Sequence, residues 1–141
     1  WEKAAEGEYS HWRETADGSV ALIVILDQLP LNMFRSDPKG FQTENMAVEV
    51  ALNAINNGFD EELNDEKLLF LFMPLMHSEN IDHQNLQVYL FDKYNFNLEF
   101  SKHHRDLVKK FGRFPHRNEI LGRMSTMEEL DYLLSDNAFK G

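Results

Sequence analysis

The seven residues from Gly112 to Asn118 concentrate side chains that bind anions or move protons. The stretch holds two arginines, a histidine and an amide, in the order Gly112-Arg113-Phe114-Pro115-His116-Arg117-Asn118. An arginine guanidinium presents forked donors that match a carboxylate or a phosphate better than a lysine does. Imidazole titrates near neutral pH, so a histidine can bind or transfer a proton. The sequence therefore indicates a binding or catalytic site at this stretch.

Polar side chains elsewhere have similar chemistry and fall where predicted helices end. Asp27 and Gln28 follow an apolar run, and His77 and Glu79 flank a predicted helix boundary. Polar groups at the end of a buried helix need a partner or water. We therefore predict that helix packing gathers them with the arginine-rich stretch into one polar cleft. The predicted ligand-binding residues are Asp27, Gln28, Arg35, His77, Glu79, His104, Arg105, Arg113, His116, Arg117 and Asn118.

The same residues also fit a purely structural role. A buried network in which the arginines pair with Asp27, Glu79 and Asp106 would only fix how the helices pack. Glu79 in the first turn of a helix would be favoured by the helix dipole, and Asp27 and Arg35 could pair with each other. His104 falls on the apolar face of its predicted helix, where it could be a satisfied core residue. An opening from the cluster to solvent would distinguish a site from a network.

The sequence supports no metal site and no cofactor. It contains no cysteine, which excludes disulfides, zinc-thiolate sites and thiol nucleophiles. His77, Glu79 and His83 are ligands by type, but their spacings of two and four match no metal motif. No Ser/His/Asp order, phosphate-cradling loop or dinucleotide fingerprint supports an enzyme. Hydrolase-type acid–base chemistry stays open as an alternative, and its candidate pairs combine His77 or His116 with Glu79 or Asp27.

Length, charge and hydropathy limit the partners. The 141 residues fit a single domain, and 43% of them are apolar against 27% charged, which is typical of a globular protein. The net charge of −10 argues against nucleic-acid binding. Residues 102–123 carry seven basic side chains against two acidic ones, which suits a small anionic ligand or an acidic peptide. No apolar run approaches the roughly 20 residues of a membrane span, and the cysteine-free composition predicts a cytoplasmic protein.

Apolar residues recur at helical spacing through most of the chain. The run from Val20 to Leu26 would also fit a strand, but no second strand-like run exists to pair with it. We predict an all-α fold of about eight helices packed as antiparallel pairs, like a tetratricopeptide or α-solenoid stack. The first predicted helix is Trp1 to Glu14, and the second is capped by Ser19 after the break at Asp17-Gly18 and is ended or kinked by Pro30. After a turn at Asp37-Pro38, the next helix is capped by Thr43 and ends before Gly58, another begins at Asn64 or Asp65 and is bent or ended by Pro74, and another is capped by Ser78 and runs to about Asn95. The last helices are Asn97 to Phe111, a short one from Phe114-Pro115 closed by Gly122, and one from Ser125-Thr126 through Leu134, followed by a tail.

Several segments, in this order, resemble the bacterial family DUF924. The matching pieces are Leu26 to Arg35, Pro74 to Glu79, His104-Arg105-Asp106, Gly112 to Asn118, Leu121-Gly122-Arg123 and Ser125-Thr126. The resemblance spans nearly the whole chain and implies an all-α, tetratricopeptide-like fold, without implying an activity. Three features depart from the family pattern: Leu31 stands where it usually has Arg, Asn80 where it usually has an acid, and an aromatic-rich region upstream of Trp1 is absent. The start at Trp1 instead of Met also suggests a fragment.

Three functions therefore compete. The first is a binding module for a small anion or acidic peptide in the Arg/His cleft, and the second is the acid–base hydrolase described above. The third is a scaffold that binds a protein segment in the groove of a helical stack, which rests on analogy at the level of the fold. An apolar concave face with exposed Met and Phe side chains would favour the scaffold.

Overall fold

The computed structural model describes residues 1–139 as a stack of helices joined by short turns, and no strand occurs in that range. The all-α prediction is confirmed. The α-helices are α1 (Glu2–Ala5), α2 (Ala16–Ile23), α3 (Leu29–Met33), α4 (Glu44–Asn56), α5 (Asp65–His77), α6 (Ile81–Lys93), α7 (Leu98–Phe111) and α8 (Met127–Leu133). A π-helical turn, Val24–Gln28, joins α2 to α3, and 3-10 turns occupy Ser10–Glu14, Pro38–Phe41, Phe59–Glu62 and Pro115–Arg117. Among residues 1–139, none of these helices has the length and apolar character of a membrane span.

The main core lies where α2, α4, α5 and α6 meet. Each of α4, α5 and α6 packs against the next helix in the chain, and α2 packs across α4 and α5. The β-branched run is helical as predicted, and Leu22, Ile23 and Leu26 from it are almost fully buried. Burying one such side chain stabilises the fold by about 1.5–3 kcal/mol. Three alanines of α4 are fully buried, which lets its neighbours approach closely: Ala47, Ala51 and Ala54.

The predicted helix from Trp1 to Glu14 is wrong beyond its first turn. α1 ends at Ala5, and Gly7 adopts a left-handed φ of 87° that an α-helix cannot contain. Ser10–Glu14 then forms a 3-10 turn. Trp12 still packs against the main core and stacks on Tyr9, with ring centroids 4.8 Å apart. The apolar residues of this segment therefore reach the core without a continuous helix.

α2 begins before Gly18, so the predicted break at Asp17-Gly18 does not occur. Thr15 caps the helix by accepting a hydrogen bond from Gly18 N at 3.1 Å, whereas the predicted cap, Ser19, is buried inside it. A Cβ atom on Gly18 would overlap the carbonyl oxygen of Trp12 and crowd the Thr15 hydroxyl. The glycine is required here because the 3-10 turn crosses directly against the helix backbone.

We expect Gly18→Ala to destabilise the protein, although alanine usually stabilises a helix by about 1 kcal/mol relative to glycine. Overlap with a backbone oxygen cannot be relieved by a side-chain rotation, so the expected loss is about 1–3 kcal/mol. Urea unfolding measures it, with Glu49→Ala on the exposed side of α4 as a control for helix propensity. A more stable Gly18→Ala variant would contradict the close crossing.

The connection from α5 to α6 differs from the prediction in three ways. Pro74 does not end α5, which continues to His77. Asn80 caps α6, and the predicted cap, Ser78, instead accepts a hydrogen bond from Asn80 N at 3.2 Å. Glu79 therefore precedes α6 and does not lie in its first turn. Its carboxylate is free to reach the C-terminal part of the chain.

The C-terminal third follows its local sequence signals more closely. Asn97 caps α7, and Gly112 ends it with a left-handed φ of 71°. α8 begins at the predicted place, where Thr126 and Glu129 form a capping box. Between them, the segment predicted as a short helix contains only the 3-10 turn Pro115–Arg117. This compact turn places consecutive polar side chains in different directions.

Candidate functional site

A cavity of about 450 Å³ lies where the end of α5, the buried side of α7 and the turn at Pro115–Arg117 meet. Pockets of about 300–1,000 Å³ are typical of small-molecule sites. We call it the Arg117 cavity. Six of the predicted site residues line it: Gln28, Arg35, His77, His104, His116 and Arg117. Its apolar wall contains Leu31, Phe34, Phe41, Phe100, Phe114, Ile120 and Phe139.

Asp27 lies behind His77 and orients its imidazole ring. Nδ1 of His77 is 2.9 Å from Oδ1 and 3.0 Å from Oδ2 of Asp27, whose side chain is 1% exposed. The Gln28 amide also donates to Asp27 Oδ2, at 2.6 Å. An ionised carboxylate only accepts hydrogen bonds, so Nδ1 is the nitrogen that donates to Asp27 and Nε2 is left for other partners. Asp27 pairs with His77, and the pairing with Arg35 allowed by the sequence does not form.

The π-helical turn that carries Asp27 follows from the proline that succeeds it. Pro30 has no N–H, so the Leu26 carbonyl, four residues earlier, lacks its usual helical donor. The Thr43 hydroxyl donates to that carbonyl instead and accepts from the Trp1 indole at 3.0 Å. Thr43 holds the N-cap position of α4 as predicted, but its hydroxyl makes no cap hydrogen bond. The predicted end or kink at Pro30 is therefore a π turn, after which the chain stays helical as α3.

Arg117 contacts two aromatic rings at the cavity wall. Its guanidinium carbon is 4.9 Å from the ring centre of Phe41 and 4.7 Å from that of Phe114. Nη1 donates to Glu44 Oε2 at 3.0 Å, and no other hydrogen bond from this guanidinium occurs within residues 1–139. Nε is buried without a partner among those residues. Because Nε and Nη2 together form one fork of the guanidinium, a bidentate edge of a buried arginine is left uncommitted.

Glu44 balances the charge of Arg117 from the first turn of α4. Its side chain is 16% exposed. Burial raises the pKa of this carboxyl, and the positive charge of Arg117 opposes that rise. The pair is therefore an ion pair close to the cavity in which the carboxylate depends on the arginine to remain charged.

His104 and His116 both line the cavity as neutral imidazoles. Burial lowers the pKa of His104 to about 4, although its contact with the Phe100 carbonyl, at 2.9 Å from Nδ1, opposes the shift. Burial and the charge of Arg117 lower the pKa of His116 to about 4. Phe139 packs against both rings, with centroids 4.6 Å and 4.9 Å away. Near pH 7 these two histidines add polar atoms to the cavity without adding charge.

Glu79 lies outside the Arg117 cavity and joins α5–α6 to the C-terminal turn. Its Oε1 accepts from Phe114 N at 2.7 Å, and its two oxygens accept from Arg123 Nη2 and Nη1 at 2.9 Å and 2.6 Å. Burial raises the pKa of Glu79, but these hydrogen bonds outweigh it and hold the pKa below its usual value. Glu79, predicted to bind a ligand, thus links the α5–α6 connection to the C-terminal turn through hydrogen bonds.

Arg113 and Asn118 likewise belong to a structural cluster, formed with Glu129 of α8. Nε and Nη2 of Arg113 donate to the two Glu129 oxygens at 2.7 Å and 2.8 Å. Asn118, which is 1% exposed, donates to Ser125 at 3.0 Å and to Glu129 at 3.3 Å. Arg113 and Arg117 therefore separate: one holds α8 and the other lines the cavity.

The remaining predicted residue, Arg105, lies outside the cavity. It pairs with its neighbour Asp106 at 2.7 Å, and that carboxylate is 60% exposed. The pairing of Asp106 in a buried network, considered from the sequence, does not occur. Arg105 can therefore serve as a control for charge in experiments on the cavity.

Two residues that matter at the cavity are absent from the sequence-based set. Phe41 supplies one side of the arginine stack, and Glu44 supplies its carboxylate. Nothing in their local pattern distinguishes them from ordinary residues of a turn and an amphipathic helix start. Their role follows from a contact between positions 73 residues apart. Within the described part of the chain, no group of three or more His, Asp or Glu side chains is arranged to hold a metal ion.

Comparisons with known proteins give a family and a similar fold. The family model described as "Bacterial protein of unknown function (DUF924)" matches residues 1–137. A solved structure of a protein of unknown function, ATU0120 from Agrobacterium tumefaciens, is 38% identical with a TM-score of 0.88. That match covers 94% of this chain and 76% of the other. No curated protein matches.

Proposed function

We propose that this chain, which belongs to the DUF924 family of bacterial proteins of unknown function, binds a small organic anion in the Arg117 cavity. The observation that carries the proposal is the uncommitted Nε–Nη2 edge of Arg117. A planar guanidinium binds a carboxylate or phosphate through two parallel hydrogen bonds, and a buried donor without a partner is costly. A bound anion would satisfy the donors that the described residues leave unpaired.

Arg113 gives an internal comparison for this edge. The same two nitrogens of Arg113 hold both oxygens of Glu129 at 2.7 Å and 2.8 Å. Arg117 sits four residues later and is more deeply buried, and its own carboxylate partner reaches only Nη1. The contacts with Phe41 and Phe114 also restrict its guanidinium, so less rotational freedom would be lost on binding.

The size and walls of the cavity favour a small ligand over an acidic peptide. A volume of about 450 Å³ accommodates a molecule with one or two carboxylates and a short apolar body. Phe100 and Phe114 provide apolar contact, while the neutral His104 and His116 can form hydrogen bonds. Arg35 at the wall adds positive charge.

Isothermal titration calorimetry with acetate, glutarate, benzoate and inorganic phosphate tests the proposal. We expect at least one of these anions to bind, and Arg117→Lys to weaken that binding by about tenfold or more, because hydrogen bonds to charged groups contribute about 1.5–3 kcal/mol. Lysine keeps the charge but cannot form the fork. Arg105→Gln removes an exposed charge from α7 and should leave the affinity within twofold. Equal affinities in wild type and Arg117→Lys would contradict the assignment.

The scaffold function has one observation in its favour. Four apolar side chains around α8 are exposed: Met124, Met127, Leu130 and Leu134. None of them lines the Arg117 cavity, so the two functions would use different surfaces. A tetratricopeptide-like arrangement remains a proposal, supported by the packing of each of α4, α5 and α6 on the next helix. The cytoplasmic location likewise stays a prediction from composition.

A further inference from the structure

We propose that the Arg117 cavity is a catalytic site in which His77 is the general base for hydrolysis of an ester whose acyl part carries a carboxylate. This inference rests on the proposed function, because Arg117 would hold that carboxylate. It adds a reaction to the binding site. His77 would touch the reacting water, whereas Asp27 would act as a positioning residue.

The pairing of His77 with Asp27 supports this role. The carboxylate is 1% exposed and contacts Nδ1, while the His77 side chain is 20% exposed and lines the cavity. Nε2 is therefore the ring nitrogen left to accept a proton from a molecule in the cavity. A buried carboxylate on the far nitrogen fixes the tautomer and stabilises the imidazolium that forms during proton transfer.

The other histidines of this region lack that arrangement. His104 has its Nδ1 on a backbone carbonyl, and His116 Nδ1 has no partner among the described residues. His83 contacts the Ser78 hydroxyl at 2.9 Å and does not line the Arg117 cavity. Among the imidazoles of the cavity, His77 thus has the carboxylate partner that a general base requires.

The backbone beneath the pair is irregular at the position that supplies the carboxylate. Asp27 and Gln28 lie in the π turn Val24–Gln28, and Gln28 both donates to Asp27 and lines the cavity. π-helical turns inside α-helices occur frequently at functional sites. The turn needs the Thr43 hydroxyl to complete its hydrogen bonds. The fold therefore maintains a costly local geometry where it orients His77.

The reaction would proceed through water activated by His77. Nε2 removes a proton from water as the water oxygen bonds to the ester carbonyl carbon. The carbon–oxygen bond to the leaving alkoxide then breaks, and the alkoxide takes the proton from Nε2. The products are a dicarboxylic acid and an alcohol, and no oxidant, reductant or metal takes part. Held by Arg117, the substrate carboxylate would keep the ester within reach of the water.

The experiment compares mono-4-nitrophenyl glutarate with 4-nitrophenyl acetate as substrates for the full chain. We expect the wild type to hydrolyse the glutarate ester with a kcat/KM at least tenfold above that for the acetate ester. His77→Gln should lower kcat by about 100-fold or more, because a positioned general base contributes about 10²–10⁴-fold. His83→Gln is the matched control and should leave both rates unchanged. Arg117→Lys should raise KM for the glutarate ester more than it lowers kcat.

Asp27→Asn tests positioning separately. The charged groups around His77 are Asp27, Glu44, Arg117 and Arg35, with His104 neutral. Without the Asp27 charge the imidazolium is less stable, so the acidic limb of the pH–rate profile should move to lower pH as kcat falls. A merely structural Asp27 would change the rate without moving the limb.

The outcomes separate the two proposals. Hydrolysis by wild type at the His77→Gln rate, with glutarate still bound, would overturn the catalytic role and leave the anion site intact. If the wild type neither hydrolyses the glutarate ester nor binds glutarate, the catalytic role of His77 and the anion site are both overturned. If His77→Gln does not fold, ¹⁵N NMR of the wild type decides: a proton on Nδ1 supports the assignment, and a neutral ring protonated on Nε2 overturns it.

Discussion

Replacing Glu129 by glutamine should lower the free energy of unfolding by about 3 kcal/mol, near the lower end for breaking a buried ion pair. Glu129 is 2% exposed and accepts from Nε and Nη2 of Arg113, from the Asn118 amide and from the Thr126 N–H. Glutamine keeps the size but turns one acceptor oxygen into a donor that faces Arg113. The effect falls short of the maximum because the Arg113 side chain is 27% exposed.

Glu128→Gln is a matched control in urea unfolding. Glu128 makes its ion pair with Lys110 at 3.0 Å, but the two side chains are 67% and 53% exposed, so we expect a loss of about 0–1 kcal/mol. Equal losses for the two glutamine variants would show that the Arg113–Glu129 cluster does not stabilise the attachment of α8.

The same pair should produce a distinct acid dependence. Hydrogen bonds from Arg113 hold the pKa of Glu129 at about 2, against 4.5 for an ordinary glutamate. A lowered folded-state pKa means that the contribution is complete above about pH 4.5 and is lost as the pH falls toward 2. The stability difference between wild type and Glu129→Gln should therefore shrink from pH 5 to pH 3. The buried His104 and His116 also reduce stability in acid, but they are common to both proteins and cancel in the difference.

Arg117→Met should also lower the free energy of unfolding by about 3 kcal/mol at pH 7, because it leaves Glu44 buried without its cation. Methionine fills much of the space between the two phenylalanine rings, so lost packing is a minor part of the effect. Adding Glu44→Gln to this variant should restore most of the stability, since replacing both members of a buried pair is often nearly neutral. A double variant as unstable as Arg117→Met would show that the stack, and not the unpaired carboxylate, sets the cost.

The loss of unfolding free energy caused by Arg117→Met should become smaller as the solution is acidified. Burial raises the pKa of Glu44 in the folded state, and in this variant no arginine opposes that rise. A folded-state pKa above the unfolded value means that protonation favours the folded protein, so stability is regained as the pH falls from 7 toward 5. Urea unfolding at the two pH values measures this, and Arg105→Met, whose partner is exposed, should show little loss at either.

Local signals in the sequence were sufficient wherever the structure depends on neighbouring residues. The helix from Asn97 to Phe111 and the helix start at Ser125-Thr126 were both predicted, and the structure has α7 from Leu98 to Phe111 and α8 capped by Thr126. The all-α class and the family resemblance are confirmed as well. Each of these signals acts within one turn of helix or recurs with helical spacing, so no distant contact can easily override it.

Helix breakers were the main source of error, since their cost can be offset from elsewhere in the fold. Gly18 sits inside α2 because the Trp12 carbonyl leaves no room for a side chain. Pro30 is tolerated because the Thr43 hydroxyl serves the carbonyl that the proline cannot. Pro74 lies within α5 and is buried. Weak local propensities lose to tertiary contacts of this kind.

The sequence by itself determined that the chain is helical and that two arginines and a histidine are concentrated in the turn after α7. It could not determine which arginine of that turn has its Nε–Nη2 fork paired with a carboxylate and which has that fork unpaired among residues 1–139, because both arginines have the same local pattern. Tertiary structure decided this by bringing Glu129, 16 residues away, onto the Nε–Nη2 fork of Arg113. Glu44, 73 residues away, reaches only one nitrogen of Arg117. The distinction lies in which distant carboxylate packing delivers to each guanidinium, and helical periodicity carries no information about that.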